Sequence, residues 1–214
     1  AANIDQMSGG RFILGAAAGW AQQEFEALGV PFNQRGAITN EYLDVIRKAW
    51  ASDVISYDGH YVSFKDVHTG PRPARSPHPP IWVGGSSDAA LRRTVLYGTA
   101  WHPIRPRLSW LEQEGLPRLR RIAEAEAMPV PDFCPRLSLR RTESPLDDNE
   151  RTAGEGTLDQ IRTDLEGLAA LDAKYVLFDT YAGDAASTLH PEADWSLLSV
   201  LAERVLDLKH QSLR

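Results

Sequence analysis

The chain has 214 residues, 43% of them apolar and 24% charged, and a formal net charge of −6. That length carries a real core and argues for one domain, while the negative balance argues against a nucleic-acid or anionic-membrane surface. No apolar run nears the ~18 residues of a membrane span, no signal peptide is visible, and the one cysteine, Cys134, excludes an internal disulfide and reads as a core thiol in a cytoplasmic protein.

The opening AANIDQMSGGRF reads as the last turn of a helix running into a glycine stop, so the start of that helix is expected upstream of residue 1. An unbroken apolar run over residues 11–16 predicts a strand covered on both faces. In TNEYLDVIRKAW, the residues Tyr42, Leu43, Ile46, Ala49 and Trp50 make one helix face. Residues 52–80 are an irregular insertion with a hairpin turned at Asp58-Gly59, followed by five prolines. A strand over residues 81–85 then meets a glycine turn and a helix on which Ala89, Ala90, Arg93 and Leu96 share a face.

Weaker strands are expected at residues 99–104 and 133–141, with Pro103 and Pro135 at their ends. Between them WLEQEGLPRLRRIAEAEA is helical in part, with Pro117 a break or a new first turn. Thr157 and Gln160 form a T-x-x-Q capping box before the stripe Leu158, Ile161, Leu165 and Leu168. A strand at residues 175–180 and a final helix carrying Trp195, Leu198, Leu201, Val205 and Leu208 close the chain. Strands alternating with helices predict an α/β protein with a parallel sheet, open or closed into a barrel.

Two strand exits are rich in small residues. The turn Gly84, Gly85, Ser86, Ser87 reads as a phosphate cradle or as a plain strand-to-helix turn with a serine cap. Asp88 suits the helix dipole but would repel a phosphate if it pointed inward. If the turn is a cradle, Gly85→Val should weaken phosphate binding more than folding, provided that Gly85 is not also held at positive φ. The exit GAAAGW, with Gly15, Gly19 and Trp20, lets a flat group pass close by, or packs tightly against a helix. It is not the dinucleotide fingerprint, and P-loop and G-x-S-x-G motifs are absent. No histidine spacing suggests a metal. His102, beside Trp101 at a strand end, is the one histidine placed where a ligand would sit, and Arg92, Arg93, Arg118, Arg120 and Arg121 read as solvated helix faces.

Taken together, SGGRFILGAAAGW, EFEALGVPFNQRG, EYLDVIRKAW, PRPARSPHPPIWVGGSSDAALRRT and YGTAWHPI resemble the luciferase-like monooxygenase superfamily, closest to its F420-dependent oxidoreductases. The resemblance implies a (β/α)8 TIM barrel of the bacterial luciferase type. Residues 1–214 would be a single incomplete domain, roughly the last five βα units, with the first three missing and the catalytic acid or base lying outside it. It implies coenzyme F420, or alternatively FMN, across the carboxyl ends of the strands. The phosphate would lie at Gly84, Gly85, Ser86 and Ser87, the ring system near Gly15, Gly19 and Trp20, and Trp101 and His102 on the same rim. The implied activity is hydride transfer to or from a small organic substrate with F420, or monooxygenation with reduced FMN, in a homodimer. The chain departs from the family pattern at Ala17, Ala21, Gln22 and Gln23, where relatives carry an Asn and carboxylates, and at Thr99 and Ala100. A non-catalytic, decayed or truncated barrel is the alternative expectation.

Overall fold

The computed structural model describes residues 1–181, 183 and 191–213; His190 lies outside them. In chain order the elements are α1 (Ala2–Met7), β1 (Leu14–Ala16), α2 (Gln22–Ala27), α3 (Arg35–Ala51), β2 (Val54–Asp58), β3 (Ser63–His68), β4 (Ile81–Gly84), α4 (Asp88–Tyr97) and β5 (Ala100–His102). There follow α5 (Leu108–Trp110), α6 (Leu116–Ala125), β6 (Asp132–Phe133), β7 (Arg136–Ser138), β8 (Arg140–Arg141), β9 (Glu155–Gly156), α7 (Leu158–Ala170), β10 (Leu177–Asp179) and α8 (Glu192–Arg204), then the short pair β11 (Leu206–Asp207) and β12 (Ser212–Leu213). Contacts gather the chain into two compact units, Ala1–Trp101 with Arg118–Pro131, and His102–Pro117 with Asp132–Arg214.

In the first unit β1 and β4 pair in parallel, Leu14 opposite Ile81 and Ala16 opposite Val83. β5 runs beside β4 in the same direction. The Thr99 amide donates to the Ile81 carbonyl at one end (2.8 Å), and the Trp101 indole N–H donates to the Gly85 carbonyl at the other (2.8 Å). Leu43, Trp50, Ile81 and Val83 form the core beneath α3, with Leu14, Ala16, Ile46 and Tyr97 packed against them. The expected face of α3 is corrected at Tyr42, which is exposed, while Ile38 is buried.

The hairpin stands where it was expected, but its turn differs. Asp58 pairs with Ser63, leaving residues 59–62 as the loop. The Glu41 carboxylate accepts from the amides of His60 (3.0 Å), Tyr61 (2.9 Å) and Val62 (2.5 Å), so a side chain on α3 fixes a loop longer than a two-residue Asp-Gly turn. The proline-rich stretch after it is tied to α1: Asp5, fully buried, accepts from the Arg75 amide at 2.9 Å, and the Gln6 side chain donates to the Arg72 carbonyl at 2.7 Å.

Of the two expectations for Pro117, the new first turn holds: it is the second residue of α6, and the helical path is not broken there. A widened turn over Leu111–Gly115 precedes it, and that turn absorbs the missing N–H. In the second unit β7 pairs in parallel with β10, and Ile104 bridges to Arg136. The strand expected at 133–141 is three short pieces; Pro135, with no N–H for a ladder, separates the first two, and the strand is interrupted again at Leu139. The capping box of α7 is present, with Thr157 Oγ1 accepting from the Gln160 amide at 3.3 Å and Gln160 Oε1 accepting from the Thr157 amide at 3.2 Å. Its stripe Ile161, Leu165 and Leu168 is buried. The closing helix α8 carries Trp195, Leu198 and Leu201, of which Leu201 is buried and the other two are exposed; it ends at Arg204, so Val205, fully buried, and Leu208, exposed, lie past the expected helix. Among the described residues no helix is long and apolar enough to cross a membrane.

Candidate cofactor site at the strand exits

The parallel register of β1 and β4 brings their carboxyl ends to the same side of the first unit. Gly15 lies within β1 and Gly19 and Trp20 in the exit after it; Gly84 ends β4 and Gly85, Ser86 and Ser87 follow it. Gly85, Ser86 and Ser87 are exposed, while Gly84, still in the strand, is buried.

Ser87 is the N-cap of α4, its Oγ accepting from the Ala90 amide at 3.3 Å. The amides of Asp88 and Ala89 in the first turn have no partner within the helix, and the positive end of the helix dipole adds to them. Gly85 has φ +111°, and a Cβ there would stand 2.8 Å from the Ala90 Cβ. The proviso on Gly85→Val therefore fails: the turn needs a glycine for its own backbone, whatever binds beside it.

Two residues fix the turn from outside the motif. Trp101 was expected on the rim; it is fully buried instead, and its indole N–H donates to the Gly85 carbonyl. Asp88 is drawn away by Arg118, whose Nη2 and Nε lie 2.6 and 3.2 Å from Asp88 Oδ1. Arg118 is thus no solvated arginine: it neutralises the one carboxylate that would oppose an anion at this turn. Arg93 is also corrected. It is buried, donating to Asn40 Oδ1 at 2.6 Å and to the Gly36 carbonyl at 3.0 Å, so it joins α4 to α3. Arg92 does face solvent, paired with Glu126 at 2.7 Å.

At the other exit a Cβ on Gly15 would meet nothing within 4 Å, which leaves open space beside the strand end. Gly19 has φ +83°, and a Cβ on it would strike the Phe25 ring at 2.8 Å. Trp20 is 87% exposed.

His102 ends β5 and is described with the second unit. Its Nδ1 lies 2.5 Å from the Cys134 carbonyl. A carbonyl only accepts, so Nδ1 carries the proton and Nε2 is the acceptor nitrogen. Burial pushes the imidazole pKa below 6.5, more than the bond to Cys134 raises it, so the ring is neutral at pH 7. Cys134 is buried, and burial pushes its thiol up to about 11, which makes it inert as expected. Also in the second unit, Asp179 at the end of β10 is held by Arg136 at 2.9 Å and approached by Arg105 at 3.7 Å. The sequence reading missed this cluster, since its members are 31 or more residues apart and share no motif.

The luciferase-like monooxygenase family model matches residues 1–171, and the chain belongs to that family. Over 92 residues it is 37% identical to an FMNH(2)-dependent dimethylsulfone monooxygenase of Pseudomonas putida, a match covering 42% of this chain and 25% of that protein. It is 35% identical over 102 residues to a pyrimidine monooxygenase of Bradyrhizobium sp., covering 45% and 28% respectively. The matched stretches thus span less than a third of these relatives' length. Among solved structures it is similar to an F420-dependent secondary alcohol dehydrogenase (TM-score 0.69, 14% identity, 83% of this chain and 66% of that one). It is also similar to a type II Baeyer–Villiger monooxygenase from Pseudomonas putida in complex with FMN (TM-score 0.63, 14% identity, 92% and 71%). These likenesses establish the luciferase-like α/β barrel fold class.

Proposed function

We propose that this chain is the cofactor-phosphate part of a flavin- or deazaflavin-dependent oxidoreductase acting on a small organic substrate, made of the last five βα units of a barrel. The observation that carries this reading is the turn at Gly85, Ser86 and Ser87. It is exposed and held from below by Trp101, and its one carboxylate is neutralised by Arg118. Such a turn fits a phosphate, which takes backbone N–H donors at a helix start and loses affinity beside an unpaired carboxylate. The open space beside Gly15 suits a flat ring passing the neighbouring exit.

When bound, the group supplies hydride transfer as F420, or oxygen activation as reduced FMN. The chain's own part is to hold the phosphate with amides and to fix the ring face with the Gly19–Trp20 corner. The FMN reading has its own support in the 37% identity to an FMNH(2)-dependent enzyme, against F420-dependent neighbours that are alike in fold at 14% identity.

Separate titrations of the full chain with FMN, riboflavin, F420 and the phosphate-free deazaflavin chromophore test this. A charge-assisted phosphate contact contributes about 1.5–3 kcal/mol. The phosphorylated member of one pair should therefore bind ~10- to 100-fold more tightly than its phosphate-free partner. Equal affinities within both pairs would remove the phosphate from the site.

A further inference from the structure

We infer that Arg35 is a positioning residue for Trp20, holding the corner after β1 so that the exposed indole serves as a stacking face for the planar ring of the ligand. The role of that ring rests on the reading above; the part assigned to Arg35 rests on the geometry of the corner.

Arg35 is the first residue of α3, sixteen positions after Gly19. Its Nε donates to the Gly19 carbonyl at 3.1 Å, and its Nη1 donates to the Phe32 carbonyl at 2.9 Å. The guanidinium also lies 4.0 Å from the Phe32 ring centroid, and Phe32 packs edge-on against Phe25 at 5.4 Å. Phe25 in turn lies against the α-carbon of Gly19, where a Cβ would collide with it. The corner is therefore gripped on two sides, by a hydrogen bond to the Gly19 carbonyl and by an aromatic ring at its α-carbon.

No described carboxylate pairs with Arg35: its hydrogen bonds go to carbonyls. A lysine cannot reproduce this, because two acceptors in different directions plus a stacked ring need the planar fork. Trp20, the next residue, shows no burial of its own, at 87% exposed. An indole that wins nothing from the core while the backbone beneath it is fixed by two side chains, Arg35 and Phe25, is arranged for contact with something outside the chain. Its flat, rigid face at a strand exit selects a planar π-system.

The experiment uses the full chain and the variants Arg35→Met, Arg35→Lys, Trp20→Ala and Arg35→Met/Trp20→Ala. Three quantities are measured: melting temperature, dissociation constants for FMN and F420, and the rate of chymotrypsin cleavage after Trp20. We expect Arg35→Met to speed that cleavage ~10-fold and to weaken cofactor binding ~10-fold, with Arg35→Lys restoring little. Trp20→Ala should weaken binding by a similar factor, and the double variant should be no weaker than either single one. An unchanged cleavage rate, or losses that multiply in the double variant, would overturn the inference. So would a loss of binding that tracks melting temperature and is rescued by lysine. Wild-type protein that binds neither cofactor would overturn the cofactor reading and Trp20's stacking role together; the cleavage rate alone would then decide whether Arg35 holds the corner.

Discussion

Gly85 and His102 show how single residues acquire their constraints. Gly85 is at φ +111° with its open side against Ala90, so Gly85→Ala should cost more than about 1 kcal/mol of stability. Urea denaturation checks this, and a variant as stable as the parent would mean that the turn adapts. For His102 the folded-state pKa lies below 6.5, so the unfolded chain takes up the proton first as pH falls. Stability then rises with pH across the interval between the folded value and 6.5, and drops on acidification through it. NMR titration of the imidazole should give a midpoint below 6.5, and His102→Gln should flatten the stability profile in that interval; a midpoint above 6.5 would contradict the burial argument. Both constraints were only half visible in the sequence. The glycines announced a special turn, but whether the requirement came from a ligand or from Ala90 is a matter of packing, which no local pattern carries.

At the level of elements, local chemistry was most legible where it acts over four residues or fewer. The T-x-x-Q box and the stripe of α7 appear as read, because both depend on helix geometry alone. What escaped were partners brought together by the fold. Arg118 meets Asp88 across 30 residues, Trp101 meets Gly85 across 16, and Arg93 is buried between α4 and α3 although it reads as a surface arginine. The same holds for Arg151 and Asp164. Their side chains are 8% and 3% exposed, with paired contacts at 2.6 and 2.9 Å, and Asp164 also accepts from the Gly154 amide at 2.8 Å. Asp164→Asn leaves the buried guanidinium only the exposed Asp148 carboxylate, at 2.6 Å, as its ion-pair partner, so it should cost up to about 3 kcal/mol. A double replacement by Met at 151 and Leu at 164 should cost less, because no buried charge then remains and Asp148, which loses its partner, is exposed. Denaturant midpoints for the two variants check the order; the reverse order would show that the pair stabilises by attraction rather than by avoiding an unpaired charge.

The whole chain combines a family-type α/β sequence with two strand exits that differ in what they expose. The β4 exit is pinned by Trp101, capped by Ser87 and cleared of charge by Arg118, while the β1 exit leaves open space at Gly15 and an exposed indole at Trp20. That division suits a cofactor with a charged end and a flat end. The family resemblance raises the proposal that both exits belong to one site, from the order of motifs alone; the packing around Gly85 and Gly19 accounts for the local shape of each turn.

Ser86 provides the most direct measurement, because it is exposed and precedes the cap, and its side chain takes part in none of the turn's hydrogen bonds described above. Ser86→Asp places a carboxylate where the phosphate is proposed to lie, and Ser86→Asn gives the same shape without charge. FMN and F420 are titrated into both variants, with riboflavin as the phosphate-free control and melting temperature as the measure of folding. The account predicts that Ser86→Asp leaves melting and riboflavin binding unchanged and weakens the phosphorylated cofactor ~10- to 100-fold, with Ser86→Asn close to the parent. Undiminished binding of the phosphorylated cofactor to a folded Ser86→Asp protein, or an equal loss for riboflavin, would contradict it.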